Sequence, residues 1–133
     1  MTPIHSREVL RRRGRMNHFA GHAAEDQVAR HYRSMGGAIH SQNCRTPEGE
    51  IDIVAQVGEV LVFVEVKQRK KQGFSGAIVS ERQWRRLENA ALHYMMQLQK
   101  ETGVQPFCRF DVALTGHDGS VQIIENARSF DEH

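Results

Sequence analysis

Residues 50–67, EIDIVAQVGEVLVFVEVK, constrain the fold more than any other part of the chain. Two runs rich in β-branched residues, Glu50 to Val57 and Val60 to Lys67, are separated only by Gly58-Glu59. Such a two-residue connection favours a tight β-hairpin. The turn puts Val57 opposite Val60, and therefore Asp52 opposite Glu65. Because side chains alternate along a strand, one face then carries Ile51, Ile53, Ala55, Val57, Val60, Val62, Val64 and Val66. That face is wholly apolar and has to be core. The other face carries Glu50, Asp52, Val54, Leu61, Phe63, Glu65 and Lys67.

The rest of the chain supplies the partners. Ala24, Val28, Tyr32 and Met35 recur at helical spacing within Phe19 to Met35, and Gly36-Gly37 is a stop signal. Extended structure follows over Ala38 to Cys44, then a loop from Arg45 to Gly49. After the hairpin and a loop from Gln68 to Gly76, Ser80 with Gln83 reads as a capping box. The helix it opens has the stripe Trp84, Leu87, Ala91, Tyr94 and Leu98, and Gly103 and Pro106 end it. Strands Phe107 to Leu114 and Val121 to Glu125 flank an Asp118-Gly119 turn. The order of helix, three strands, helix, two strands predicts an α/β (α+β) domain: one mixed sheet of about five strands with a helix on each side.

Composition narrows the class. The chain has 133 residues, 39% hydrophobic and 26% charged, which suits a single domain with a real core. Its longest uninterrupted apolar run, Val60 to Val64, falls far short of the roughly 20 residues a membrane helix needs. The start lacks the apolar stretch of a secretory signal. Cys44 and Cys108 cannot build a disulfide framework or a four-cysteine zinc site. The expectation is a soluble cytoplasmic protein with reduced thiols and no membrane partner.

A net charge of +2 conceals an uneven distribution. Residues 1–16 hold five arginines against Glu8 and are expected to form a flexible basic arm, with 17–133 as the domain. A second basic stretch contains Lys67, Arg69, Lys70, Lys71, Arg82, Arg85 and Arg86 against Glu81. Arg69, Lys70, Lys71, Arg82, Arg85 and Arg86 are therefore candidate nucleic-acid contacts. From charge alone, a solvated loop and helix face explains them equally well.

The chemistry concentrates at the hairpin. Carboxylates directly across a strand pair have Cβ atoms roughly 5 Å apart and repel one another. Asp52 and Glu65 thus call for a cation, either the Lys67 ammonium two residues on or a hard divalent ion such as Mg²⁺ or Mn²⁺. Lys67 is in addition a point charge able to orient a water or stabilise negative charge on a phosphate. The bland alternative is a surface ion-pair cluster. Glu25 lies beside the buried stripe of the first helix, either at its edge or aimed at the sheet's polar site. Arg109 and Asp111 share a strand face and can pair with each other. A cap explains Gln83 as well as a role near the site does, helical spacing favours core packing over base stacking for Trp84 and Tyr94, and His18 with His22 lacks a third metal ligand. No glycine-rich phosphate loop occurs, which disfavours a nucleotide-hydrolysing motor.

Several stretches together resemble a known family. Gly21-His22-Ala23-Ala24-Glu25, Asn43-Cys44-Arg45, Gly49-Glu50-Ile51-Asp52, the run from Leu61 to Arg69, and Arg109-Phe110-Asp111 are similar, in order, to the YraN-like family of small bacterial proteins. That family is similar to the restriction-endonuclease-like PD-(D/E)XK superfamily, especially archaeal Holliday-junction resolvases. The resemblance implies an αβββαβ core. It implies Asp52 and Glu65 as metal-binding carboxylates, the Val66 carbonyl as a further metal ligand, Lys67 as a catalytic lysine and Glu25 as the acidic residue of the first helix. Ile51 stands where the superfamily's name has proline. The function implied is a Mg²⁺- or Mn²⁺-dependent endonuclease acting on DNA, with branched or structured DNA as the substrate class. A homodimer is implied by symmetrical cutting of two strands. The rival is a non-catalytic nucleic-acid-binding or adaptor module on the same fold.

Overall fold

The computed structural model describes residues 22–68 and 79–128. The basic arm at 1–16, His18, and the loop cations Arg69, Lys70 and Lys71 lie outside the described residues. Helix α1 covers 22–34. It is followed by strands β1 (Ala38–Thr46), β2 (Gly49–Val57) and β3 (Val60–Gln68), helix α2 (Glu81–Thr102), and strands β4 (Phe107–Thr115) and β5 (Val121–Arg128). The five strands form one sheet in the order β1-β2-β3-β4-β5. Only β3 and β4 run parallel, joined through α2; the other neighbours are antiparallel. This is the expected mixed sheet with a helix on each face.

Each helix covers its own hydrophobic cluster. Val28, Ala29 and Tyr32 of α1 pack on Ile53, Ala55, Val62, Val64 and Ala113. Trp84, Leu87, Ala90 and Ala91 of α2 pack on Val54, Leu61, Phe63, Phe110, Val112 and Leu114. The capping box opens α2 as expected: Ser80 Oγ accepts from Gln83 N–H at 3.1 Å, and Gln83 Oε1 accepts from Ser80 N–H at 3.1 Å. Trp84 and Tyr94 serve the core. Among the described residues no helix is long and apolar enough to cross a membrane. Both cysteines are free thiols.

Four local expectations need correction. Met35 is not part of the helix stripe: α1 has ended, and the side chain is 52% exposed. The expected loop from Arg45 to Gly49 shrinks to Pro47-Glu48. Thr46 Oγ1 accepts from the N–H groups of Glu48 and Gly49 and donates to the Gly49 carbonyl, so a side chain does the work of a longer turn. Strand β5 continues to Arg128, anchored by a buried ion pair to Glu88 at 3.0 Å and a second to Glu81 at 2.6 Å. Its guanidinium also lies 5.7 Å from the centre of the Trp84 ring.

The fourth correction shapes the site. The hairpin register is as expected, from Val57 opposite Val60 to Ile53 opposite Val64. Yet Ile51, placed by alternation on the face of Ile53, belongs to the α2 cluster, while Ile53 belongs to the α1 cluster. Its partner strand does the same. Gln42, opposite Ile53, reaches Asp26 of α1 at 3.0 Å, whereas Cys44, opposite Ile51, packs on the α2 side. Residues two apart on a regular strand share a face. Both strands therefore turn over together at the position between, which is Asn43 on β1 and Asp52 on β2. Asn43 provides the turn in the backbone, with φ of +55°.

Asp111 shows how firmly the far side of the sheet is tied. Fully buried, it accepts from Tyr32 Oη at 2.7 Å, from Arg109 Nε at 3.0 Å and from Asn126 N–H at 3.0 Å. Burial and the Asp111 charge push the Tyr32 phenol far above its usual range. Removing one bond to a buried charged acceptor costs about 1.5–3 kcal/mol. Tyr32→Phe is accordingly expected to lower the melting temperature by about 4–10 °C, measured by circular dichroism, with the fold unchanged.

Candidate functional site

At the inversion the β2–β3 ladder stops. The last paired residues are Ile53 and Val64, one pair short of Asp52 and Glu65. There the Asp52 side chain replaces the backbone as acceptor: its Oδ2 takes the Val66 N–H at 2.8 Å. The sequence-derived opposition of Asp52 to Glu65 therefore falls one step beyond the paired register, where the strands part, with Glu65 near enough for its charge to raise the Asp52 pKa. Lys67, two residues beyond Glu65, sets its Nζ 3.1 Å from Glu65 Oε2.

The electrostatics record the crowding. Burial, and after it the Glu65 charge, raises the Asp52 pKa from the ordinary 3.8 to about 7; the bond from Val66 N–H pulls the other way. Glu25 and Glu50 also push it up. Glu25 itself, on α1, is only 8% exposed, and burial lifts its pKa to about 6. The Asn43 side chain opposes that rise, while Glu50, Asp26 and Glu65 add to it. Among the described residues, Glu25 Oε1 is buried with no hydrogen-bond partner. Glu25 thus stands buried within reach of the Glu50 and Glu65 charges.

A divalent cation fits part of this arrangement. The carboxylates of Asp52 and Glu65 are hard oxygen donors, and Mg²⁺ often takes only one or two carboxylates from protein. Asp52 and Glu65 would hold it. Against this, one Asp52 oxygen and one Glu65 oxygen already have partners. Among the described residues no three His, Cys, Asp or Glu side chains stand in a ready metal-binding group.

The expected basic residues fall partly into place. Arg82, Arg85 and Arg86 are exposed on the first turns of α2. Arg86 lies across the β1–β2 turn: a Cβ on Gly49 would meet its Cγ and Cδ at 2.7 and 2.8 Å. Gly49, at φ of +146°, therefore admits the arginine stem three residues before Asp52. Arg109 and Asp111 pair with each other, as the structural reading of that motif has it. A cleft of about 230 Å³ between α1 and the ends of β3 and β4, lined by Ala24, Gln27, Gln68, Thr115 and His117, takes in none of Asp52, Glu65 and Lys67. The residue that spacing alone does not single out is Asn43. Its signal is a backbone angle, invisible in hydrophobic periodicity.

Comparison with known proteins decides the family. A profile described as "Uncharacterised protein family UPF0102" matches residues 24–115, which include every site residue named above. The chain belongs to the UPF0102 family. This is the YraN-like group its motifs resemble. A UPF0102 protein of Ruegeria pomeroyi is 38% identical over 120 residues, covering 90% of this chain and 96% of its own. One from Cereibacter sphaeroides is 38% identical over 114 residues, covering 86% and 96%. One from Shewanella amazonensis is 43% identical over 99 residues, covering 72% and 88%. The family match thus runs from α1 through β4.

The partly buried charge at Asp52, with Glu65 beside it, weakens the folded protein at neutral pH. The raised Asp52 pKa means a cost absent below about pH 4, growing through the window up to about 7, and full above it. Asp52→Asn keeps an acceptor for Val66 N–H and removes the charge. In EDTA at pH 7.5 it is expected to raise the melting temperature by about 2–6 °C, and at pH 4 to leave it nearly unchanged. A variant less stable than wild type at both pH values would contradict this.

Proposed function

We propose that this UPF0102 protein is a divalent-cation-dependent endonuclease acting on DNA, with branched or structured DNA as its substrate. The observation that carries the reading is the Asp52 carboxylate tied to Val66 N–H where β2 and β3 part, with Glu65 and Lys67 on the same strand end. Carboxylates in such a place add nothing to a surface that only grips phosphates.

A Mg²⁺ or Mn²⁺ ion bound by Asp52 and Glu65 would supply Lewis acidity for the phosphate and lower the pKa of a bound water. The chain's own residues do the rest. Val66 N–H fixes the Asp52 carboxylate and leaves its other oxygen for a ligand. Glu25 contributes a buried carboxylate whose Oε1 is free to accept a proton or a water. Lys67, partly exposed and held by Glu65, swings as a point charge toward a bound phosphate. Arg82, Arg85 and Arg86 hold flanking phosphates, Arg86 being closest to the site through its contact with Gly49. A two-fold dimer would present two such sites to the two strands of a junction.

The second reading is a non-catalytic nucleic-acid-binding module. The Lys67–Glu65 pair favours it, because a lysine that only neutralises the carboxylates would sit in that position.

Two measurements separate the readings. Lys67→Ala is expected to leave DNA affinity within about twofold while cleavage of a four-way junction with Mn²⁺ falls roughly 10²–10³-fold. Wild-type protein that cuts no DNA form with any divalent metal makes the binding module the better account. Replacing Arg82, Arg85 and Arg86 together by alanine is expected to flatten the plot of log K against log salt by about 0.9 for each phosphate no longer neutralised. An unchanged slope would remove α2 from the DNA interface.

A further inference from the structure

The β1–β2 turn is tied more tightly than a surface loop needs to be. Thr46 Oγ1 accepts from Glu48 N–H at 3.1 Å and from Gly49 N–H at 3.2 Å, and donates to the Gly49 carbonyl at 2.8 Å. One side chain thus joins both ends of the turn and leaves only Pro47 and Glu48 at its point, both exposed. Proline restricts the backbone there further. The point is stiff, blunt and without a cation of its own.

The cations sit on its two faces. On one, the Arg86 stem lies over Gly49, so close that a Cβ there would meet its Cγ at 2.7 Å. Ile51, two residues on, packs on the same α2 side. Arg45 and Glu50 form the next register pair inward from Thr46 and Gly49. They alternate with Cys44 and Ile51, which both pack toward α2, and therefore occupy the opposite face. Arg45 Nε lies 3.5 Å from Glu50 Oε2, with side-chain exposures of 85% and 43%. An ion pair that open and that long contributes little. It keeps Arg45 on its face and yields readily to a phosphate, which an arginine grips with two parallel hydrogen bonds.

Position links the turn to the seam. Gly49 precedes Asp52 by three residues, roughly 10 Å of extended strand. Arg82 and Arg85 extend the Arg86 side along the first turns of α2. Arginines on opposite faces of a strand pair cannot both lie against one straight backbone. A closed duplex offers two backbones only across a groove. The Glu48 carboxylate would then enter that groove, where acceptors on the base edges outnumber donors. Strands that diverge offer two backbones with no groove floor between them.

We propose that the β1–β2 turn enters between two DNA strands where they separate, with Arg86 holding one backbone and Arg45 the other. The proposal rests on the branched-DNA reading above and adds to it the residue that meets the second strand.

The test measures binding without cleavage, by fluorescence anisotropy of labelled forked and fully paired DNA of equal length, in EDTA across a range of salt. Arg45→Ala is expected to flatten the plot of log K against log salt by about 0.7–0.9 on the fork, the loss of one phosphate contact. On the paired DNA the slope is expected to stay unchanged. Combining it with Arg86→Ala is expected to add the two losses on the fork, because the two side chains share no partner. Lys100→Ala removes the same charge fourteen residues along α2 from Arg86, about 21 Å away, and is expected to change neither slope. Arg45→Ala is expected to melt within about 3 °C of wild type, as surface substitutions do. An unchanged fork slope in Arg45→Ala would overturn the proposal and leave the endonuclease reading standing. So would equal losses on forked and paired DNA, or an equal loss in Lys100→Ala. Wild-type protein that binds neither DNA at low salt would overturn both together.

Discussion

Like charges held close in a poorly hydrated place are the constraint around which this end of the sheet is organised. β1 and β2 turn over at Asn43 and Asp52, and β3 does not follow them. The ladder consequently parts just before Asp52 and Glu65, and Asp52 accepts a strand N–H through its side chain. A sheet that continued regularly would have carried Ile51 onto the α1 face and left Asp52 in line with Val54. The inversion instead gives Ile51 to α2, brings Gly49 under Arg86, and leaves Asp52 at the seam.

The rest of the fold supports this seam by being closed elsewhere. Two hydrophobic clusters, one under each helix, fix the sheet between α1 and α2. Away from the seam, the buried charges are fully matched. Asp111 is saturated by Tyr32, Arg109 and Asn126, and Arg128 is held by Glu88 and Glu81. Such networks specify a structure and leave nothing over for a ligand. Asp52, Glu65 and Glu25 form the exception, sharing one partly exposed lysine and an unpartnered oxygen. That imbalance, more than the identity of the residues, is what motivates the proposed site.

Much of this is legible in the residues themselves. The two-residue turn at Gly58-Glu59 sets the β2–β3 register without ambiguity, because valine runs on both sides admit no slip. Ser80 and Gln83 announce the start of α2 by a bond each makes to the other's backbone. What periodicity cannot carry is the break in periodicity. Alternation places Ile51 and Glu50 on faces by a rule that fails at one residue, and a left-handed asparagine has no composition signature that distinguishes it from an ordinary strand asparagine. Thr46 shortens a loop by a side-chain bond, and Glu88 enters the α2 stripe only because Arg128, far along the chain, meets it there. Long-range pairing of this kind is not a local property.

The central claim is that Asp52 and Glu65 together form a cation site. It is tested most directly by titrating Mn²⁺ into wild type and Glu65→Gln by calorimetry at pH 7.5. Glu65→Gln keeps the shape of the strand end and removes one of the two charges. The account predicts saturable binding to wild type and at least a tenfold weaker association for the variant, in line with losing one of two charged ligands. Equal affinity in both proteins would place any bound ion elsewhere and contradict the account.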